Sequence, residues 1–149
     1  MPAYRGAVHL SLNVHIQRLS PLPEDHDCEA AAERLRQTVE AMEPGDMRAR
    51  VLAQDGDIHV HVDAPWGHGD VAADGGLFHL DELAPSAVAL LHALGTMCDF
   101  VLATEVPSAP LALVRRGQIE GLEGLRLTAP PVICESPAEL GKHLEGGFR

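Results

Sequence analysis

The dipeptide Asp55-Gly56 separates two alternating runs, MRARVLAQ and DIHVHVD, and constrains the fold more than any other feature of the chain. A two-residue connection of this kind suits a type I′ turn, whose central residues both take positive φ, so the runs are expected to form a tight antiparallel hairpin. The register then has no freedom. Gln54 pairs with Asp57, Leu52 with His59, Arg50 with His61 and Arg48 with Asp63, while Ala53, Val51 and Ala49 stand opposite Ile58, Val60 and Val62. One face of this hairpin is dry and the other is charged.

The same two-residue period recurs at residues 7 to 17, AVHLSLNVHIQ, where Val8, Leu10, Leu12, Val14 and Ile16 share one face and His9, Ser11, Asn13, His15 and Gln17 the other. Between this strand and the hairpin, Asp27 is a suitable N-cap for a helix from about 28 to 43. Cys28, Ala31, Ala32, Leu35, Val39 and Met42 form its apolar stripe, Arg36 and Glu40 make a pair on its wet side, and Pro44-Gly45 stops it. Residues 64 to 76, APWGHGDVAADGG, hold four glycines and the only tryptophan without any period, and read as a loop.

A short strand is expected at 77 to 80, then a deeply packed helix in LAPSAVALLHALG, with Pro85 in its first turn and Gly95 as its stop. The apolar run CDFVLATE, 98 to 105, has the length of a central strand covered on both faces. APLALVRRG, 109 to 117, reads as another strand, with LRLT and PVICE beyond it. In SPAELGKHL, Ser136 is the N-cap, Pro137 the first helical residue and Glu139 the partner in a capping box, giving a helix to about Glu145.

These elements amount to a single α+β domain over residues 1–149, with three helices mainly on one face of an antiparallel or mixed sheet of about five to seven strands. A ferredoxin-like core accommodates the first strand, helix and hairpin. An apolar fraction of 46% supports a packed core in a chain of 149 residues. With 22 acidic against 11 basic residues the formal charge is −11, which repels phosphate backbones and anionic lipid, so neither nucleic acid nor membrane is an expected partner. No run has the apolar core of a signal peptide or the length of a bilayer span, and the expected location is cytoplasmic. Cys28, Cys98 and Cys134 form no CxxC pair and read as buried thiols.

Two readings of the histidines follow. His59-x-His61 puts two imidazoles on one strand face about 6.5–7 Å apart, a spacing from which side chains converge on one ion. Asp63 extends that row and His68 adds a third nitrogen, giving a candidate site for Zn or another divalent metal in a metal-assisted or histidine-dependent hydrolase. HVHVD is similar to the opening of the HxHxDH signature of metallo-β-lactamases, but Ala64 stands where its last histidine belongs. Arg50 across from His61 and Arg48 across from Asp63 further oppose a dication and offer the carboxylate a partner. No phosphate loop or nucleophile elbow occurs, and GHGDVA at 67–72 has the GxGxxA spacing but is followed by ADGG, which opens no helix, so no cofactor is implied.

The preferred reading is therefore a small acidic binding or regulatory module without catalytic activity of its own, acting through a protein partner or as a homodimer joined at an edge strand. If the first strand shares the hairpin's sheet, His9, Asn13 and His15 lie on the same side as His59, His61 and Asp63. Trp66 at the tip of the following loop is the expected aromatic anchor.

Overall fold

The computed structural model describes residues 11–18, 25–41, 48–54, 57–104, 110–122 and 130–145. Its frame is one eight-stranded sheet in the order β2-β3-β4-β5-β1-β6-β7-β8. The strands are β1 (Leu12–Arg18), β2 (Arg48–Gln54), β3 (Asp57–Ala64), β4 (Gly67–Ala72), β5 (Gly75–Leu80), β6 (Phe100–Thr104), β7 (Ala112–Leu113) and β8 (Val132–Ile133). Every pairing is antiparallel except that of β7 with β8. The helices α1 (Asp25–Ala41), α2 (Pro85–Cys98) and α3 (Pro137–Glu145) contribute to one core on one side of this sheet. The α+β architecture is as the sequence predicts, with eight strands in place of five to seven.

The four strands between α1 and α2 form a meander whose last member pairs with β1, and β1 takes β6 on its other side. Strands β4, β5, β1 and β6 thus have the neighbour order of a ferredoxin-like core, and the β2-β3 hairpin extends it at the edge. That hairpin pairs in the predicted register, from Arg48 opposite Asp63 to Gln54 opposite Asp57. The Asp55-Gly56 turn itself lies outside the described residues, as do His9, the Pro44-Gly45 stop and the strand expected at LRLT.

Alternation decides which side chains enter the core. Leu12, Val14 and Ile16 of β1, Val60 and Val62 of β3, and Phe78 and Leu80 of β5 are buried with Leu35 and Val39 of α1 and with Leu90, Leu91 and Leu94 of α2. Side chains as large as these each contribute about 1.5–3 kcal/mol when fully buried. Helix α1 begins at Asp25, so Asp27 falls inside its first turn, where acidic residues suit the positive end of the helix dipole, and not at its cap. Arg36 on its exposed side bonds Glu40 and Glu33 one turn away, with Nη1 2.9 Å from Glu40.

Three further expectations are corrected. Residues 64–76 are not a loop but two tight turns flanking β4 and the start of β5. The inward positions of β4 are Gly67, Gly69 and Val71, and a glycine shows no hydrophobic period even where it faces a core. Gly69 lies under the Phe78 ring, which a Cβ there would meet at 2.3 Å.

Helix α2 does not stop at Gly95. It runs to Cys98 and turns out through Asp99 in the left-handed conformation, φ 60°. Gly95 is instead a contact point, where a Cβ would fall 2.7 Å from Val114 Cγ2 and 3.2 Å from the Phe100 carbonyl oxygen. The strand predicted at 109–117 shrinks to Ala112–Leu113 and is followed by a 3-10 helix, Arg116–Leu122. Gln118 causes the change: its Oε1 accepts the amides of Val114 at 2.9 Å and Arg115 at 3.3 Å, so neither extends the ladder.

The 3-10 helix also closes part of the sheet's second face. Its Leu122 packs with Val101 and Leu113, and Leu111 and Ile133 border them. Strand β6 is therefore covered on both sides, as its continuous apolar run predicts. Among the described residues, no helix is long and apolar enough to cross a membrane.

Candidate functional site

From β2 to β1 the second face of the sheet carries the polar halves of the alternating strands. Two rows of side chains follow from the register. The first runs Arg48, Asp63, His68, His79 and Asn13 across β2, β3, β4, β5 and β1. The second runs Arg50, His61, Asp70, Leu77 and His15 over the same strands. His59 stands one step further along β3 on this side, opposite Leu52 and Ala72. Neighbours within a row are about 4.8 Å apart and the rows about 7 Å apart, so each side chain can reach partners in both directions.

His61 is the best connected. Its Nδ1 lies 2.7 Å from Oδ1 of Asp70 across the β3-β4 ladder, and its Nε2 3.0 Å from Oδ2 of Asp63 two residues along its own strand. The hydrogen bond to Asp70 raises the ring's pKa above its ordinary value; burial opposes this, and the charges of Asp70 and Asp63 add to it. His79 is placed similarly, with Nδ1 2.6 Å from Oδ1 of Asn13 and Nε2 3.1 Å from Oδ1 of Asp81. His68 stacks on His79 with ring centroids 5.5 Å apart.

This wiring differs from the predicted one. Arg48 and Arg50 stand across from Asp63 and His61 as the hairpin requires, yet among the described residues neither forms an ion pair. Asp63 bonds the imidazole beside it. A short, partly buried ring loses less freedom in such a bond than a long exposed arginine, for which a surface pair is worth about 0–1 kcal/mol.

The structure places His59, His61, Asp63, His68, Asn13 and His15 on one face but does not gather them at a point. Both nitrogens of His61 are committed to carboxylates and His68 lies flat against His79. Among the described residues no group of three or more histidine, cysteine, aspartate or glutamate side chains is arranged to hold a metal ion.

Trp66, expected as an exposed anchor, is only 3% exposed and belongs to the main core. It occupies the tight turn between β3 and β4, its ring 6.5 Å from that of Phe78 and its carbonyl accepting the Asp81 amide at 2.7 Å. An exposed apolar side chain that the structure describes on this face is Leu77, 42% accessible and between Asp70 and His15 in the second row.

Asp70, His79, Asp81 and Leu77 were not predictable site residues while β4 read as a loop. The alternation of FHLD from 78 to 81 is the signal for His79, and the spacing of His68 and Asp70 between glycines is the signal for β4.

Four other side chains with reactive or polar groups are structural, while that of Cys28 lies outside the described residues. Cys98 and Cys134 are buried, and burial pushes both thiols up, assisted at Cys134 by the charge of Glu139. His92 donates from Nε2 to the Cys134 carbonyl at 3.1 Å. Ser136 caps α3, accepting the Glu139 amide and donating to its carboxylate, both at 3.2 Å. No known protein family, curated protein or solved structure matches the chain.

Proposed function

We propose that this chain is a binding module that acts through protein contacts on the histidine-rich face of its sheet and has no catalytic chemistry of its own. The observation that carries the reading is the asymmetry of that face: Leu122 and its neighbours cover it at β6 to β8, while from β2 to β1 it displays charged and aromatic side chains around the exposed Leu77. Four strand spacings make this area about 19 Å wide, which suits a folded partner better than a small molecule. Exposed Arg48 and Arg50 at its β2 border select a partner presenting carboxylates there, and Leu77 supplies an apolar centre.

Site-directed photo-cross-linking tests this in cells that make the protein. A cross-linker at position 77 is expected to give a discrete adduct that is lost when Arg48 and Arg50 are changed to Glu, while a cross-linker at exposed Lys142 on α3 gives none. A second copy of the chain would appear as an adduct of twice the mass, matched by a concentration-dependent dimer in light scattering. Adducts of equal yield at both positions, or adducts indifferent to Arg48→Glu and Arg50→Glu, would overturn the reading.

A further inference from the structure

One ring on this face has its charge state fixed by the chemistry of its neighbours. A carboxylate oxygen only accepts hydrogen bonds, so an imidazole bonded through both nitrogens to two carboxylates has to donate from both, and the ring with two N–H groups is the cation. His61 is in that position between Asp63 and Asp70. His79 is not, because the Asn13 amide can turn either its oxygen or its nitrogen toward the ring.

We propose that His61 is a proton-operated latch between β3 and β4. Protonated, the ring holds both aspartates and the trio carries two negative charges against one positive. When the proton leaves for solvent, one nitrogen keeps an N–H and the other becomes a lone pair. The carboxylate facing that lone pair has no donor, turns to water, and the face gains one negative charge.

The remaining charged groups near the ring are Arg50 directly across on β2, Arg48 one pair further, His59 behind it on β3, and His68 diagonally placed on β4. A guanidinium does not give up its proton in a protein, so the proton in question is the one on the His61 ring between its two carboxylates. The direction of the His61 shift agrees with this geometry. Stability from the latch is fully present below the unfolded-state histidine pKa, while both carboxylates are ionised, and is lost as pH rises through the folded-state pKa. His143 on α3 works in the opposite sense, because burial lowers its pKa. A melting curve therefore mixes the two, and the readout has to be His61 itself.

The consequence for binding rests on the reading of this face as a docking surface, but the latch is a property of the free protein. The test is an NMR titration of the histidine ring nitrogens in the full chain, with His61→Gln used to assign its signals. Both nitrogens of His61 are expected to carry protons at neutral pH, and the midpoint to lie above the ordinary histidine range. Asp70→Asn should lower that midpoint markedly and Asp63→Asn should lower it less; both aspartates are largely exposed, so the fold is kept. A midpoint at or below the ordinary range, or one indifferent to Asp70→Asn, would overturn the latch. A latch confirmed in this way alongside failed cross-linking at position 77 would leave the proton switch standing and remove the docking surface.

Discussion

Gly69 and Phe78 are direct partners across β4 and β5, and the aromatic ring lies over the glycine with no room for another carbon. The absent side chain is thus part of the core's shape. Gly69→Ala forces the fully buried ring to move against Trp66, and overpacking of this kind costs about 1–3 kcal/mol. The melting temperature should fall by about 2–12 °C, taking about 2–4 °C per kcal/mol at this chain length. Gly117→Ala is the control: nothing lies within 4 Å of the position a Cβ would take, and the melting temperature should move by less than a degree or two. Equal effects of the two substitutions would mean that Phe78 does not hold this position.

The buried amide of Gln118 is a second fixed point. Only 3% exposed, the residue accepts from the backbone of Val114 and Arg115 and donates to the Phe100 carbonyl at 3.1 Å and to Asp99 at 3.2 Å. It joins the end of α2, the start of β6 and the 3-10 helix. Gln118→Ala leaves the Val114 amide and the Phe100 carbonyl without partners, at about 1–3 kcal/mol for each buried group, so a loss of about 2–6 kcal/mol is expected in urea unfolding. Gln118→Glu keeps the acceptor for Val114 but turns a second carboxylate oxygen toward a carbonyl and Asp99. It should be at least as destabilising at neutral pH and should partly recover in acid, where the carboxyl can donate. A Gln118→Ala change within about 0.5 kcal/mol of the parent would show that water replaces the amide.

What the sequence makes legible follows from how local each signal is. The hairpin register rests on two turn residues, β1 on strict alternation, and α3 on Ser136 and Glu139 three apart; each depends on nearby backbone chemistry, and each matches the structure over the residues it describes. Strand β4 was hidden because its inward residues are mostly glycines whose partner, Phe78, is supplied by the next strand. The sequence predicts too long a strand at 109–117 because Gln118 gives no pattern until it folds back on Val114. The same limits apply to the site. His59, His61 and Asp63 can be placed on one face from the hairpin alone, but Asp70 and His79 are reached only through β4 and β5. Without β4, Arg48 is the natural partner of Asp63, and Asp70, the carboxylate on the other nitrogen of His61, cannot be seen.

Thiol reactivity checks the core from another direction. Cys98 and Cys134 are free and buried, and burial holds both above the ordinary thiol range, so little thiolate forms near neutral pH. A Cys28→Ser variant is expected to react with a disulfide reagent at pH 8 no faster than the protein opens, and to release two equivalents once unfolded. Rapid labelling of Cys134 in the native protein would show that the N-terminal end of α3 lifts from the sheet.

Metal addition tests the wiring of the histidine rows. A divalent ion bound by His59, His61, Asp63 or His68 would have to displace Asp63 or Asp70 from the His61 ring, or part the stacked rings of His68 and His79. A ligand at 100 times its dissociation constant adds about 2.7 kcal/mol to native stability, and at about 2–4 °C per kcal/mol a true site would raise the melting temperature by roughly 5–10 °C. Melting with zinc, with manganese and with a chelator is expected to give curves within a degree of one another at pH 7. His61→Ala should leave them equally superimposable. A rise of several degrees with zinc that the chelator reverses and His61→Ala abolishes would instead assign the row to a metal, with the aspartates as ligands and no longer as partners of an imidazolium.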